Sequence, residues 1–252
     1  MFGTKEMKAI HLGIIPDGNR RYCKEHGMKL EELAQHWFDK KALKWLEALA
    51  SSPDNTKIQE MTRFVRQVTE LSLYVSSIDN ATKRKDVSMT FVDEITTKVV
   101  NLIKSPKMFI PEKEANRFTK IITHEVGLKF NFIGDKKLFS EQTKKNMQIL
   151  RDLFPDTQKK PKTLTINLAV AYDYTKDITN YSNSNNPDYN REQSDIDIVF
   201  RSGREKRLSG FFPTKTFYSE LFFTDKLWPA VTLEDLNECI EEVSKRQRRF
   251  GK

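Results

Sequence analysis

The sequence contains little cysteine and no long hydrophobic run. Only Cys23 and Cys239 occur among the 252 residues, too few for a disulfide framework or a cysteine-based zinc site, so we expect a reducing compartment. The mean hydropathy is −0.62, no run of about 18 apolar residues is present, and residues 1–6 lack the apolar segment of a signal peptide. These absences predict a cytoplasmic protein without a spanning helix.

Several common motifs of phosphate and metal chemistry are also missing. The sequence has no P-loop, no G-x-G-x-x-G fingerprint, no H-E-x-x-H zinc motif and no D-D-x-x-D metal-binding pair. It contains no internal repeat. A function in phosphate or metal chemistry would therefore depend on residues arranged in another pattern.

Basic residues outnumber acidic ones. Lys and Arg total 43 against 35 Asp and Glu, which gives a net charge of +8 and a pI of about 9.3. Nucleic acid, an anionic membrane or phosphorylated small molecules would each explain this excess, and so would a solvated lysine-rich surface. The densest basic run, residues 245–249, is not accompanied by a recognisable nucleic-acid-binding module, so we predict no nucleic-acid partner.

Strand-like and helix-like hydrophobic patterns alternate along the chain. This alternation predicts one α/β domain over residues 1–252, with a mostly parallel central β-sheet flanked by helices. The predicted strands are Ile10–Ile15, Thr69–Ser76, Leu128–Ile133, Leu164–Ala171 and Ile196–Phe200. The predicted helices are Leu30–Ala50, Ile58–Val68, Val87–Ile103, 112–124, Phe139–Leu153 and Leu233–Phe250. The polar stretch Tyr181–Ser194 is predicted to form a loop.

Three of the predicted strands are followed by polar residues. Asp17, Ser77 and Arg201 each follow such a strand. In an open parallel sheet, ligands bind beyond the carboxyl ends of the strands. We therefore expect these three residues to lie at one edge of the sheet.

The first polar segment, Asp17-Gly18-Asn19, lies between a strand and a predicted helix. Gly18 allows close backbone approach, and the free N–H groups of a helix start can bind phosphate oxygens. The Asp17 carboxylate can bind Mg²⁺ together with diphosphate oxygens, and Arg20 and Arg21 would add charge-assisted hydrogen bonds. The alternative interpretation is an N-cap aspartate followed by a turn glycine.

The later polar segment is rich in arginine. Arg201, Arg207 and Ser209 could hold a second diphosphate, because a guanidinium group matches phosphate geometry in bidentate fashion. A surface loop with scattered positive charge is the alternative. Asn80 could bind a diphosphate or assist loss of a proton, although an Asx turn would also explain it. His36, within a predicted helix, is by default a structural histidine.

Taken in order, these segments resemble the cis-prenyltransferase family, which includes undecaprenyl diphosphate synthase and dehydrodolichyl diphosphate synthase. The family motif H-x-x-I-I-M-D-G-N-x-R is similar to His11–Arg21, and the motif R-[ST]-G-x-E-x-R-x-S-x-F is similar to Arg201–Phe211. Further matches, in chain order, are Ser77–Asn80, Ile133–Asp135, Asn167–Tyr172, Tyr218–Pro229 and Arg248–Gly251.

The resemblance implies an enzyme that condenses isopentenyl diphosphate with an allylic diphosphate and forms a new cis double bond, giving a Z-polyprenyl diphosphate. Asp17 would bind Mg²⁺ and assist departure of the allylic diphosphate. The residues that would hold the allylic diphosphate are Gly18, Asn19, Arg20, Arg21 and His36. The residues that would hold isopentenyl diphosphate are Arg201, Arg207 and Ser209, with Arg249 and Gly251 from the chain's end.

The resemblance also implies a homodimer and an apolar product tunnel. Glu220 would support the metal site across the dimer, and Asn80 would assist proton removal or diphosphate positioning. The tunnel would be lined by Leu164, Ile166 and Leu168, beside the 87–103 helix. The residues that alternate with these three on the same strand are the other possible lining.

The chain also departs from the family pattern. Pro16, Tyr22, Ala81 and the stretch Tyr172–Tyr174 each differ from the usual residue. These departures leave open an irregular coupling of two dimethylallyl diphosphates. An auxiliary subunit of a heteromeric prenyltransferase is a further alternative, although such subunits typically lose the first motif, which this chain retains. A product of many isoprene units would favour peripheral membrane contact.

Overall fold

Six parallel strands form the central sheet, in the order β3-β4-β2-β1-β5-β6. The structure is a computed structural model that describes residues 9–30, 32–33, 63, 65–83, 85–110, 112–155, 162–182 and 193–247. The strands are β1 (Ile10–Ile15), β2 (Val68–Tyr74), β3 (Val126–Ile133), β4 (Lys162–Ala169), β5 (Ile198–Arg201) and β6 (Glu220–Phe223). The predicted parallel α/β arrangement is confirmed.

The first strand lies at the centre of the sheet. All six residues of β1 are buried, and β1 pairs in parallel with β2 on one side and β5 on the other. A strand covered on both faces reads as a nearly continuous apolar run. The burial of β1 therefore accounts for the mostly apolar sequence Ile-His-Leu-Gly-Ile-Ile, which predicts a central strand.

Helices cover the sheet and connect its strands. Their bounds are α1 (Asn19–Glu25), α2 (Ile78–Lys83), α3 (Lys85–Lys104), α4 (Glu112–Lys120), α5 (Glu141–Leu153), α6 (Tyr174–Ser182) and α7 (Leu233–Ser244). Polar side chains begin two of them: the Ser140 side chain accepts from Thr143 N at α5, and Thr232 and Asp235 form a capping box at α7. No helix within the described ranges is both long enough and apolar enough to cross a membrane.

Three predicted elements need correction. The helix predicted over Leu233–Phe250 ends at Ser244. Tyr181 was expected in a loop but belongs to α6. Val68 was expected to end a helix but begins β2, after the single 3₁₀ turn Val65–Gln67. The predicted helix Leu30–Ala50 and residues 183–192 of the predicted loop lie almost wholly outside the described residues. The structure therefore describes only the first residues of that helix and the two ends of that loop.

The two faces of the sheet differ in polarity. Leu12 and Ile14 of β1 point into the main hydrophobic core, whereas His11 belongs to a buried polar layer on the other face. His11 Nε2 lies 2.8 Å from Ser72 Oγ, and Asn167 Nδ2 donates to the same oxygen at 3.0 Å. Burial lowers the pKa of His11, although the nearby Glu70 carboxylate opposes that shift. His11 is therefore a structural hydrogen-bonding group within the sheet.

Candidate active site

The carboxyl ends of β2, β1 and β5 meet at one edge of the sheet. These strands are neighbours in the sheet, and Ile15, the last residue of β1, is in register with Arg201. The residues that follow β1 and β2 therefore lie at the same edge as Arg201. The expectation that Asp17, Ser77 and Arg201 would share an edge is confirmed.

An ion pair between Asp17 and Arg201 lies at the centre of this edge. Arg201 Nη2 donates to Asp17 Oδ2 at 2.8 Å. The Arg201 residue is only 3% exposed, whereas the Asp17 side chain keeps 33% of its surface accessible. Arg21 Nη2 approaches the other carboxylate oxygen at 3.4 Å. The site thus combines one accessible carboxylate with two guanidinium groups.

The turn after β1 orients Asp17 through its backbone. The Asp17 carbonyl oxygen accepts from Ser202 Oγ and from Trp228 N, both at 2.9 Å. Gly18, with φ +99°, is the N-cap of α1. The Asp17 side chain accepts from the Gly18 N–H at 2.6 Å and does not cap the helix. The alternative interpretation of Asp17 as an N-cap is therefore wrong.

The arginine segment forms a strained loop around Arg201. Arg201 Nη1 donates to Ser209 Oγ at 2.9 Å and to the Arg207 carbonyl oxygen. Arg204, Ser209 and Phe212 adopt the left-handed region, with φ of 71°, 52° and 39°. Such a conformation costs about 1–3 kcal/mol per residue and clusters at ligand-binding sites. A loop of scattered surface charge does not describe Arg201, which is buried.

Gly203 allows the arginine segment to pass close to Asp17. A Cβ atom at Gly203, where φ is +88°, would lie 2.8 Å from the Asp17 carbonyl carbon. We predict that Gly203→Ala lowers the free energy of unfolding by about 3 kcal/mol, because left-handed strain and a backbone clash add together. Urea denaturation of both proteins measures this difference.

Gly27→Ala is the matched control for this substitution. Gly27 also has positive φ, +61°, but the added Cβ would meet no described atom within 4 Å. We expect it to cost only about 1 kcal/mol, from the backbone strain alone. Equal losses in the two variants would show that the approach to Asp17 is not tight.

Ser77 and Asn80 follow β2 at the same edge. The Asn80 N–H donates to Ser77 Oγ at 3.2 Å, and Asn80 lies within helix α2. An isolated Asx turn at Asn80 is therefore wrong.

Arg20 and Arg207 belong to the two polar segments and are exposed, and the Arg207 guanidinium pairs with Glu205. Asn19 uses its side-chain amide to donate to the Pro16 carbonyl oxygen at 2.9 Å.

Tyr74 is a further residue of this edge, which the sequence did not single out. Its hydroxyl donates to the Ser209 carbonyl oxygen at 3.1 Å. Burial raises the pKa of Tyr74 to about 12, while the Arg201 charge opposes that shift. Tyr74 is the last residue of β2, two residues before the end of the predicted strand Thr69–Ser76, so its nearness to that end was the available signal.

Glu220 lies away from the Asp17 turn of its own chain. It pairs with Ile198 at the start of β5, three positions before Arg201, which corresponds to about 10 Å along a strand. The Glu220 carboxylate accepts from Arg246 Nη1 at 3.0 Å. The other predicted site residues, His36, Arg249 and Gly251, lie outside the described residues.

The donor set at this edge fits a magnesium ion bound with a phosphorylated substrate. Among the described residues, no group of three or more His, Cys, Asp or Glu side chains comes together. Mg²⁺ usually keeps several waters and takes one or two carboxylates plus substrate phosphates. Asp17, accessible and bordered by arginines, suits this mode and does not suit a cage made only of protein ligands.

An apolar cavity opens beside the Asp17 turn. It is open to solvent, and Pro16, Asn19 and Trp228 lie at the end nearest the site. Its wall includes Leu168 of β4 together with Phe91 and other residues of α3. Leu164 and Ile166 instead pack within the main hydrophobic core and do not line it. Of the three predicted lining residues of β4, only Leu168 borders this cavity.

Comparisons with known proteins agree with this geometry. A sequence model of the family described as "Putative undecaprenyl diphosphate synthase" matches residues 15–251. The chain is 30% identical over 245 residues to the tritrans,polycis-undecaprenyl-diphosphate synthase (geranylgeranyl-diphosphate specific) of Aeropyrum pernix, covering 96% of this chain and 97% of that protein. It is 25% identical over 275 residues to the (2Z,6E)-farnesyl diphosphate synthase of Mycolicibacterium smegmatis, covering 99% and 90%.

A solved structure shares the fold. The lavandulyl diphosphate synthase of Lavandula x intermedia, in complex with dimethylallyl diphosphate, superposes with a TM-score of 0.67 at 20% identity. The match covers 98% of this chain and all of that chain. The family model matches most of the sequence, and the relatives align along nearly its whole length. The site at the sheet edge agrees with both findings. The chain belongs to the undecaprenyl diphosphate synthase family of cis-prenyltransferases and is an enzyme that transfers prenyl groups.

Proposed function

We propose that this chain catalyses the Mg²⁺-dependent condensation of isopentenyl diphosphate with an allylic diphosphate, giving a Z-polyprenyl diphosphate. The observation that carries the proposal is the Asp17–Arg201 pair, which joins an accessible carboxylate to a buried guanidinium at 2.8 Å. Two diphosphates repel each other, so a site that brings them together needs cationic groups on both. The residues around this pair provide those groups.

The two polar segments would divide the substrates between them. The allylic diphosphate would lie at the turn after β1, held by Gly18, Asn19, Arg20 and Arg21. Isopentenyl diphosphate would lie against the loop of residues 202–212, called here the arginine loop. It would be held by Arg201, Arg207 and Ser209. Arg201 already has its guanidinium directed between Asp17 and Ser209, so it requires little reorganisation to bind an anion there.

Asp17 would hold Mg²⁺ together with oxygens of the allylic diphosphate. When bound, the ion supplies charge neutralisation for the departing diphosphate. Arg21 and Arg201 add positive charge on either side of the Asp17 carboxylate. Asn80, at the start of the neighbouring helix α2, would position a diphosphate or assist loss of the proton that follows carbon–carbon bond formation.

The apolar cavity would accept the hydrocarbon part of the allylic substrate and product. It begins at Pro16 and Asn19 beside the diphosphate turn, and its walls are mainly apolar side chains of β2, β4 and α3. Burial of methylene groups in such a cavity stabilises the bound chain by about 0.8 kcal/mol per CH₂. A dry wall would also protect an allylic cation from water.

We further propose that two copies of the chain assemble around the β6 edge. Phe217 and Tyr218, just before β6, are 74% and 63% exposed, and Leu221 within it is 38% exposed. β6 is an edge strand, so contact with another copy along this edge would cover these apolar side chains. Glu220 would then support the metal site of the partner subunit, and Arg249 and Gly251 would reach its diphosphate.

A direct assay tests the proposed reaction. Purified protein is incubated with Mg²⁺, labelled isopentenyl diphosphate and, separately, dimethylallyl, geranyl, farnesyl and geranylgeranyl diphosphate, and the products are resolved by chain length. We expect incorporation that EDTA abolishes. Arms with phospholipid vesicles measure the proposed peripheral membrane contact, since a long product would be released faster into a bilayer.

The same assay separates the alternative functions. Coupling products formed from dimethylallyl diphosphate alone would indicate irregular coupling in place of chain elongation. Absence of incorporation with every primer would overturn the proposed reaction and direct the search to an auxiliary role beside another subunit. The relative from Aeropyrum pernix is named as specific for geranylgeranyl diphosphate, so that primer has a natural place in the panel.

A further inference from the structure

The Tyr74 hydroxyl connects two parts of the site that are far apart in sequence. It donates to the Ser209 carbonyl oxygen at 3.1 Å. Tyr74 is the last residue of β2, whereas Ser209 lies in the arginine loop after β5. One side chain therefore joins the end of β2 to the loop that surrounds Arg201.

The Tyr74 contact holds a residue whose backbone is strained. Ser209 has φ +52°, and Gly210 beside it has φ +77°. Strained residues persist where the surrounding structure over-determines their conformation. The hydroxyl of Ser209 accepts from Arg201 Nη1 at 2.9 Å, so the position of the Ser209 backbone affects where the buried guanidinium points.

The aromatic ring of Tyr74 is itself held in place. Its centroid lies 5.4 Å from that of Phe211 and 5.9 Å from that of Tyr172, the latter in an edge-to-face arrangement. Aromatic pairs at such distances stabilise a defined ring orientation. Because burial raises the pKa of Tyr74 to about 12, the phenol stays protonated and can donate throughout the neutral pH range.

We propose that Tyr74 is a positioning residue for isopentenyl diphosphate, acting through Ser209 on the orientation of Arg201. The inference rests on the proposed function, because it assigns the arginine loop to that substrate. Tyr74 is not a proton carrier in this role. Its hydroxyl holds the loop in the conformation that binds the diphosphate. The effect on the turn after β1 is smaller, because the Asp17 carboxylate also accepts from the Gly18 N–H and lies near Arg21.

Tyr74→Phe tests this role, since it removes the hydroxyl and keeps the ring. We expect the KM for isopentenyl diphosphate to rise about five- to tenfold, the effect of one hydrogen bond of ordinary strength. The KM for the allylic primer should change by less than about twofold, because the turn after β1 is held by other contacts. Steady-state kinetics with each substrate varied in turn, together with thermal unfolding, measure these quantities.

Two further variants define the test. Tyr181→Phe removes the hydroxyl of a tyrosine that is 53% exposed on α6 and should leave both KM values unchanged. In a Ser209→Ala background, Tyr74→Phe should raise the KM for isopentenyl diphosphate by less than in the native chain, because coupled positions act non-additively. An unchanged KM for isopentenyl diphosphate in Tyr74→Phe, or equal rises for both substrates, overturns the inference.

Failure of this inference can be told apart from failure of the proposed function. The native chain is assayed first, and turnover of isopentenyl diphosphate by it supports the proposed reaction whatever Tyr74→Phe does. If the native chain turns over no substrate, the proposed reaction and the role of Tyr74 in it are both overturned. If the native chain is active and full additivity is found with Ser209→Ala, only the positioning role is overturned.

Discussion

Asp17→Asn is expected to lower kcat by about 10³-fold, which corresponds to roughly 4 kcal/mol of lost transition-state stabilisation. The amide keeps the shape of the carboxylate but removes the negative charge that would hold Mg²⁺ against the allylic diphosphate. Asp17 is the countercharge of the buried Arg201 guanidinium, so we also expect a loss of about 3 kcal/mol in unfolding free energy. Single-turnover kinetics and urea denaturation measure the two effects separately.

A conservative substitution at an exposed aspartate provides the control. The Asp195 side chain is 86% exposed, and its Oδ1 lies 3.9 Å from Lys215 Nζ. Asp195→Asn removes the same charge but leaves the residues of the candidate site unchanged. We expect its kcat to stay within about twofold of the native value. Retention of more than a tenth of the native activity by Asp17→Asn would contradict the role assigned to this carboxylate.

Arg201→Lys is expected to lower kcat/KM for isopentenyl diphosphate by about 10²-fold. The substitution keeps the positive charge, but a single ammonium group cannot reproduce the planar fork that reaches Asp17, Ser209 and the Arg207 carbonyl oxygen. The defect should appear mainly in the KM for isopentenyl diphosphate, because that diphosphate is assigned to the arginine loop. Initial-rate measurements with each substrate varied in turn provide the comparison.

The matched control is an arginine that is remote from the loop. Arg151, near the end of α5, is exposed, and Arg151→Lys should leave kcat/KM within about twofold of the native value. A larger effect on the KM of the allylic primer than on that of isopentenyl diphosphate would show that Arg201 belongs to the other diphosphate. The two predictions together distinguish the two halves of the site.

The Asp17–Arg201 pair also explains how the site tolerates a buried guanidinium. Arg201 is 3% exposed, and an unpaired charge at such a position would cost several kcal/mol. Asp17 supplies the countercharge from a position that remains accessible to ligands. The same two side chains therefore stabilise the fold without substrate and present opposite charges where diphosphates and a cation would bind.

The strands that carry the site could be predicted because a buried strand has a nearly continuous apolar sequence. Ile10–Ile15 was predicted with the bounds that the structure has, since a strand covered on both faces needs apolar residues along its whole length. β6 was missed because none of its four residues is buried, whereas the equally short β5 is buried throughout. Helix α6 was missed because the large side chains of Tyr174, Ile178 and Tyr181 are exposed, so no buried stripe marks it.

The sequence by itself determined the parallel α/β class, the family and the position of Asp17, Ser77 and Arg201 at the carboxyl ends of their strands, because these follow from local hydrophobic patterns and residue order. Only the tertiary structure decided that Asp17 pairs with Arg201 and that Tyr74 contacts Ser209. Those partners are separated by more than a hundred residues in the chain. Their contacts depend on strand order and loop conformation, which arise from packing of the whole sheet and leave no local pattern in the sequence.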